Sequence, residues 1–206
     1  MARPIDPAAL TVLLSAVAVA GYLGYRFAAE PPHETSPATG AAAAPAPSAL
    51  ADRLPQFMLD NLTGEPTSIS SWPGKPMLIN FWATWCAPCL REIPLLKQFQ
   101  ADHAGVQIVG IAVDRRDPVL SFAAEMDFNY PVLVGQNDAM EAAAAFGIEV
   151  FALPITVFTD AAGAILGIHT GEVHAEHLDN LVAVLADLGE GRIDRATARA
   201  RIAGTL

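Results

Sequence analysis

The sequence predicts an α/β domain in which a mixed central sheet is flanked by helices, and three observations carry that prediction. Apolar runs of strand length at residues 77–83 and 106–113 alternate with helical patterns. Two further runs, 155–159 and 164–170, flank the short turn Asp160-Ala161-Ala162-Gly163. An amphipathic helix over 175–188 closes the pattern. Strands separated by helices predict parallel neighbours, whereas a turn this short predicts an antiparallel pair, so the sheet is expected to hold both kinds.

The elements follow in order. Residues 54–69 read as an extended arm or hairpin turning at Asn61-Leu62-Thr63-Gly64. After a second turn, Trp72-Pro73-Gly74-Lys75-Pro76, the run 77–83 reads as a strand buried on both faces. A helix leaves Cys86 with Leu90, Ile93, Leu96 and Phe99 on its apolar face, is bent by Pro94 and ends near His103-Ala104-Gly105. Residues 106–113 form a second central strand, and Asp117-Pro118 opens a helix running to Met126. A short strand is expected over 130–134, then an Ala-rich helix over 138–146 closed by Gly147. The last helix buries Leu178, Leu181, Val182, Leu185 and Leu188. Beyond it, a tail over 190–206 has room for a short helix with Arg192, Arg195 and Arg199 on one solvated face.

The ends set the domain organisation. The 206 residues leave room for one domain plus flanking segments. Residues 7–25 carry no charge, and 8–23 are almost wholly apolar, long enough for a helix to span a bilayer. Arg3 before this stretch favours a cytoplasmic start, although Arg26 after it weakens the bias. A cleaved signal with Ala18-Val19-Ala20 as its processing site is the alternative. Either reading exports the rest of the chain. The expected divisions are therefore 1–27 as membrane anchor or signal, 28–53 as a Pro/Ala-rich linker, 54–189 as the domain and 190–206 as the tail. A net charge of -10 argues against non-specific nucleic-acid binding, so no nucleic-acid partner is expected.

The chain has two cysteines, Cys86 and Cys89, too few and too close for a disulfide scaffold. A Cys-x-x-Cys pair in an exported protein serves either as a redox dithiol or as half of a metal site. A structural zinc site needs about four ligands. His174, His177 and His169 are the candidates to complete one, and His174 and His177 read better as solvent-exposed caps of the last helix. The redox reading has a mechanism. A helix starting at Cys86 directs free N–H groups and the positive end of its dipole at that sulfur, favouring the thiolate that disulfide exchange requires. Cys89, one turn in, is the more buried thiol and the resolving one. Ala87-Pro88 fixes the loop between them.

The string Gly74-Lys75-Pro76-Met77-Leu78-Ile79-Asn80-Phe81-Trp82-Ala83-Thr84-Trp85-Cys86-Ala87-Pro88-Cys89-Leu90-Arg91-Glu92-Ile93-Pro94 resembles the TlpA/ResA-like branch of the thioredoxin superfamily over about residues 54–188. That branch comprises membrane-anchored thiol–disulfide oxidoreductases. The resemblance implies a thioredoxin-like fold with an N-terminal hairpin extension and a central insertion within 115–147. It implies no cofactor beyond a redox-active Cys86–Cys89 disulfide. It further implies residence in the bacterial cytoplasmic membrane by a single pass, with the domain in the periplasm. The implied partners are an electron-donating membrane thiol reductase and exported cysteine-containing clients, apocytochrome c or a copper-site assembly protein among them.

Asn80 stands where ordinary thioredoxins carry a buried aspartate, which removes that proton acceptor. Glu92 stands where ResA-like proteins carry a glutamate near the dithiol. Three residues past Cys89, it shares a helix face with that sulfur, and a desolvated carboxylate there would have a raised pKa and relay the Cys89 proton. The alternative is a surface glutamate paired with an arginine. Leu153-Pro154 matches the position of a cis proline beside the dithiol; Leu153 would offer backbone hydrogen bonds to an extended client, and Trp85 would shield the sulfurs. Pro88 belongs to the same client surface.

Ile155 departs from the glutamate common after that proline in cytochrome-maturation members, which counts against a dedicated haem role. A disulfide-forming oxidant, a peroxidase and a copper or zinc carrier are the competing functions. Oxidants of that type carry a histidine between their cysteines, and peroxidases a threonine where this chain has Ala83.

Overall fold

The computed structural model describes residues 51–149 and 152–205. The expected anchor or signal, and nearly all of the expected linker, lie outside the described residues. Among the described residues no helix is long and apolar enough to cross a membrane.

Two strands form the centre, β3 (Met77–Trp82) and β4 (Gln107–Val113), both buried along their whole length. Neither could face water on one side, so helices must cover both faces of the sheet. The strands pair in parallel from Met77 opposite Gln107 to Trp82 opposite Ala112. On the far side of β3 runs β6 (Ile155–Thr159), antiparallel, with Phe81 opposite Ile155. It pairs in turn with β7 (Ile165–Thr170) across the expected turn. On the far side of β4 lies β5 (Val132–Gly135), parallel to it.

The N-terminal hairpin of β1 (Met58–Asn61) and β2 (Pro66–Ser68) docks on β5, giving the order β2-β1-β5-β4-β3-β6-β7. The stretch read as a central insertion supplies β5 and the helix after it. The strand expected over 130–134 begins two residues later, because Pro131 has no N–H to give the ladder. The Pro131 carbonyl still accepts from the Gly110 N–H at 2.9 Å.

Alternation along β3 divides the core in two. Leu78 and Trp82 face one layer, where they meet helices α1 (Ala87–Asp102), α2 (Arg116–Met126), α4 (Ala175–Gly189) and α5 (Arg195–Ala203). Met77, Ile79 and Phe81 face the other, covered by α3 (Asn137–Ala145) and Phe146. Period-two geometry therefore points Asn80 at the same layer as Leu78 and Trp82, toward α1. Its position is the one polar entry in a strand of otherwise apolar residues.

The C-terminal helix differs from the expected solvated one. Ala198 and Ile202, one turn apart, are buried in the first core layer. Its arginines are committed to the domain: Arg195 pairs with Asp160 at 2.6 Å, and Arg199 donates to the Ile165 carbonyl at 2.8 Å. Burial works to raise the Asp160 pKa, but Arg195 and the N–H groups of Ala162 and Ala164 outweigh it and hold the carboxyl below its usual range. Arg195, Ala198, Arg199 and Ile202 fall at i, i+3, i+4 and i+7 on one helix face, so the arginines lie beside the buried pair and not on a separate solvated side.

Truncating Ile202 to Ala should destabilise the domain by about 2–5 kcal/mol, the range for emptying a buried aliphatic site. Replacing exposed Arg192 by Ala should cost no more than about 1 kcal/mol. The urea midpoints of the two variants measure the difference, and equal midpoints would return the tail to a solvated appendage.

Candidate active site

The C-terminal ends of β3 and β4 converge on one loop. After Trp82 the chain turns through Ala83-Thr84-Trp85, with the Cys86 N–H donating to the Ala83 carbonyl at 3.2 Å. Thr84 ties the turn to the neighbouring strand: its N–H donates to Asp114 Oδ2 at 3.0 Å and its hydroxyl at 2.5 Å. The other Asp114 oxygen accepts from the Arg115 N–H at 2.7 Å. Asp114 thus clamps the loop two residues before the first cysteine. No motif marked it, but it is the first residue after a strand buried along its whole length, where the topology places sites.

Cys86 caps α1, and Cys86 and Cys89 form a disulfide with an S–S distance of 2.02 Å. The Cys89 N–H donates to Cys86 Sγ at 3.3 Å, so the first turn of the helix already directs a donor at that sulfur. Cys86 is 5% exposed and Cys89 0%, which separates a reachable thiol from an enclosed one.

Trp85 is 70% exposed. Most of its indole is therefore open surface, on the residue next to Cys86. Pro88 is half-buried in the first turn of α1. The Leu153–Pro154 peptide bond is cis. Because Phe81 is opposite Ile155, Pro154 falls opposite Trp82, next to the turn that carries Cys86. The Pro154 carbonyl accepts from the Gly171 N–H at 2.9 Å, and Leu153 is half-buried against both core layers.

Glu92 is 1% exposed. Its Oε1 accepts from Asn80 Nδ2 at 2.7 Å and its Oε2 from the Val173 N–H at 2.6 Å. Among the described residues no arginine neutralises it: Arg91 is bonded instead to Glu172, at 2.9 Å. The surface-pair alternative therefore falls. Burial raises the Glu92 pKa to about 7 against the lowering effect of the Val173 and Asn80 bonds, and the Glu172 charge adds to the rise. A carboxyl balanced near neutrality, on the helix of an enclosed thiol, can take or return a proton in the physiological range. Tyr130 is pushed upward too, first by burial and then by the Glu92 charge.

The histidines also differ from expectation. His174 caps α4 and is exposed, but His177 is buried, its Nδ1 accepting from the His174 N–H at 2.9 Å. Its ring lies 4.4 Å from that of His169. Burial, then the His169 charge, lowers the His177 pKa. Among the described residues no group of three or more candidate ligands is placed to hold a metal ion.

Comparison with known proteins agrees with this geometry. The Redoxin family model matches residues 49–185. Thioredoxin-like protein YneN of Bacillus subtilis is 32% identical over 132 residues, 62% of this chain and 75% of that protein. The thiol-disulfide oxidoreductase ResA of Geobacillus kaustophilus is 31% identical over 134 residues, 64% of this chain and 75% of that protein. The solved structure of a thiol:disulfide interchange protein of the thioredoxin family from Chlorobium tepidum superposes with a TM-score of 0.59 at 30% identity, over 66% of this chain and 97% of that one.

The raised Glu92 pKa fixes the sign of a pH effect. Between the ordinary carboxyl value of 4.5 and about 7, the folded protein holds a proton that the unfolded chain has released. Stability is then lost as pH rises through that window, by about 3 kcal/mol in all. Chemical denaturation of the oxidised protein at pH 4.5 and pH 8 should show this loss, and Glu92→Gln should abolish it. A wild-type difference matched by the variant would contradict the assignment.

Proposed function

This chain belongs to the Redoxin family, has a thioredoxin-like fold and is a thiol–disulfide oxidoreductase; from that premise we propose that it is a membrane-anchored reductant of disulfides in exported proteins. The observation that carries the direction is the pairing of an enclosed Cys89 with a buried carboxyl poised near neutrality on the same helix. A reductant must deprotonate its second thiol inside the protein, and Glu92, three residues on in the same helix, is the proposed acceptor.

The reaction runs in two exchanges. The Cys86 thiolate, stabilised by the α1 N-terminus, attacks one sulfur of a client disulfide and expels the other as a thiolate. Cys89 then loses its proton to Glu92 and attacks Cys86 Sγ, releasing the client's second sulfur as a thiolate. The client gains two electrons and takes up protons from solvent, and the protein is left with its Cys86–Cys89 disulfide. Glu92 returns its proton when a membrane thiol reductase restores the dithiol.

Exposed Trp85 and half-buried Pro88 and Leu153 supply the apolar surface on which an extended client segment lies across the sulfurs. The apolar stretch 7–25 supports the anchor and an outward-facing domain in the periplasm. Exported cysteine-containing proteins awaiting cofactor insertion, apocytochrome c or copper-site assembly proteins, are the clients this placement favours.

In cells expressing a Cys89→Ser variant of the full-length chain, Cys86 should accumulate as mixed disulfides with exported proteins that reductant releases. Cys86→Ser should accumulate none. No adduct, together with stoichiometric metal on the purified protein, would favour the carrier reading. The reduction potential separates reductant from oxidant: it should lie nearer roughly -270 mV, as in thioredoxin, than roughly -120 mV, as in strong periplasmic oxidants.

A further inference from the structure

Asn80 takes no part in the sulfur exchange, yet it is fully buried in the middle of β3. Its Nδ2 donates twice, to Glu92 Oε1 at 2.7 Å and to Thr156 Oγ1 at 3.0 Å. Its Oδ1 is buried with no hydrogen-bond partner among the described residues. A buried carbonyl without a donor is unfavourable and calls for a reason. The present orientation of the amide suits a single state of its neighbour, the ionised one.

Glu92 changes what it needs when it takes a proton. Its Oε2 faces the Val173 N–H, a backbone donor that cannot reverse. The proton must therefore sit on Oε1, where Asn80 Nδ2 now points a donor. Two donors cannot share that contact. We propose that Asn80 is a positioning residue that serves both protonation states of Glu92, donating to the carboxylate and turning its amide by half a turn to accept from the carboxylic acid. This rests on Glu92 being the proton acceptor proposed above.

The turn brings Oδ1 to where Nδ2 was. Oδ1 then accepts from Glu92 Oε1 and from Thr156, whose hydroxyl can donate as readily as accept. Nδ2 moves to the place now held by Oδ1. The amide has two bonds and one unmatched atom in either state, so neither orientation is strongly preferred for its own sake. An aspartate here would repel the carboxylate, and a leucine would meet neither form. The titratable and charged groups around Glu92 are few. Cys89 lies on its own helix, Tyr130 precedes β5, and Glu172 follows β7 and is paired with Arg91. His169 on β7 bonds to the Glu172 carbonyl and lies against the His177 ring, and β3 and β6 offer the neutral Asn80 and Thr156.

The test is a pH titration of the oxidised full-length chain in detergent, with isotope labels on asparagine side chains, threonine methyls and glutamate carboxyls. In the wild type, magnetisation transfer between the Asn80 Nδ2 protons and the Thr156 methyl should be present above the Glu92 midpoint and lost below it. In Glu92→Gln the transfer should not change with pH. Transfer that persists unchanged across the wild-type midpoint would overturn the proposal.

Asn80→Leu removes both the donor to the charged form and the acceptor to the neutral one, so the proton affinity of Glu92 should rise by less than the roughly tenfold that loss of a fixed charge-assisted donor would give. A rise of about tenfold or more would equally overturn the proposal, because an amide that only donates loses nothing in the neutral form. The wild-type titration does not depend on that variant folding. Neither readout involves disulfide exchange, so a failure of the reductant assignment would show separately, in the trapping of clients.

Discussion

The burial of Glu92 is the constraint on which the site depends. A carboxyl in an apolar layer must either be neutral or be held by donors, and here it is held by two at a pKa close to neutrality. Each donor comes from a different part of the fold: Asn80 from the central strand, and the Val173 N–H from the segment between β7 and α4. That segment is fixed in its turn by the Arg91–Glu172 pair, one residue along from each partner of the Glu92–Val173 bond. The ion pair is largely exposed and contributes little stability by itself. Its effect is to keep the loop against α1, where its neighbour can reach the buried carboxyl.

The dithiol is positioned by the same strands. β3 ends at Trp82, and the turn after it is clamped by Asp114 at the end of β4. Antiparallel pairing with β6 brings the Leu153–Pro154 bond to the other side of that turn. The N-cap geometry then leaves Cys86 at the rim and puts Cys89 one turn deeper, beneath a helix whose next turn carries Glu92. Cys86, Cys89 and Glu92 thus follow one another three residues apart along one helix, the last two enclosed.

What the sequence made legible was local. Continuous apolar runs identified β3 and β4 because parallel central strands are covered on both faces, and Cys86-Ala87-Pro88-Cys89 announced both the helix start and its chemistry. The burial of Glu92 followed from its spacing to Cys89 together with a resemblance. The cradle around it did not, because Asn80 meets Glu92 only through the rotation of α1 over β3, and the second donor is a backbone N–H that no side chain advertises. Asp114 and Thr84 lie 30 residues apart and form one clamp only after β3 and β4 pair. The same limit explains Trp85 and His177, whose exposures depend on what packs above them. Ala198 and Ile202 meet the core only because α5 folds back across α4 and β7.

The claim that Glu92 and Cys89 share a proton is tested most directly in the reduced protein, by following thiolate absorbance as pH is raised. If the buried carboxylate faces the resolving thiol, its charge disfavours the Cys89 thiolate, and Glu92→Gln should let Cys89 ionise at a distinctly lower pH while the Cys86 titration moves little. A Cys89 titration that is the same with Glu92 or its glutamine replacement would contradict the coupling, and Glu92 would then be a buried structural carboxyl.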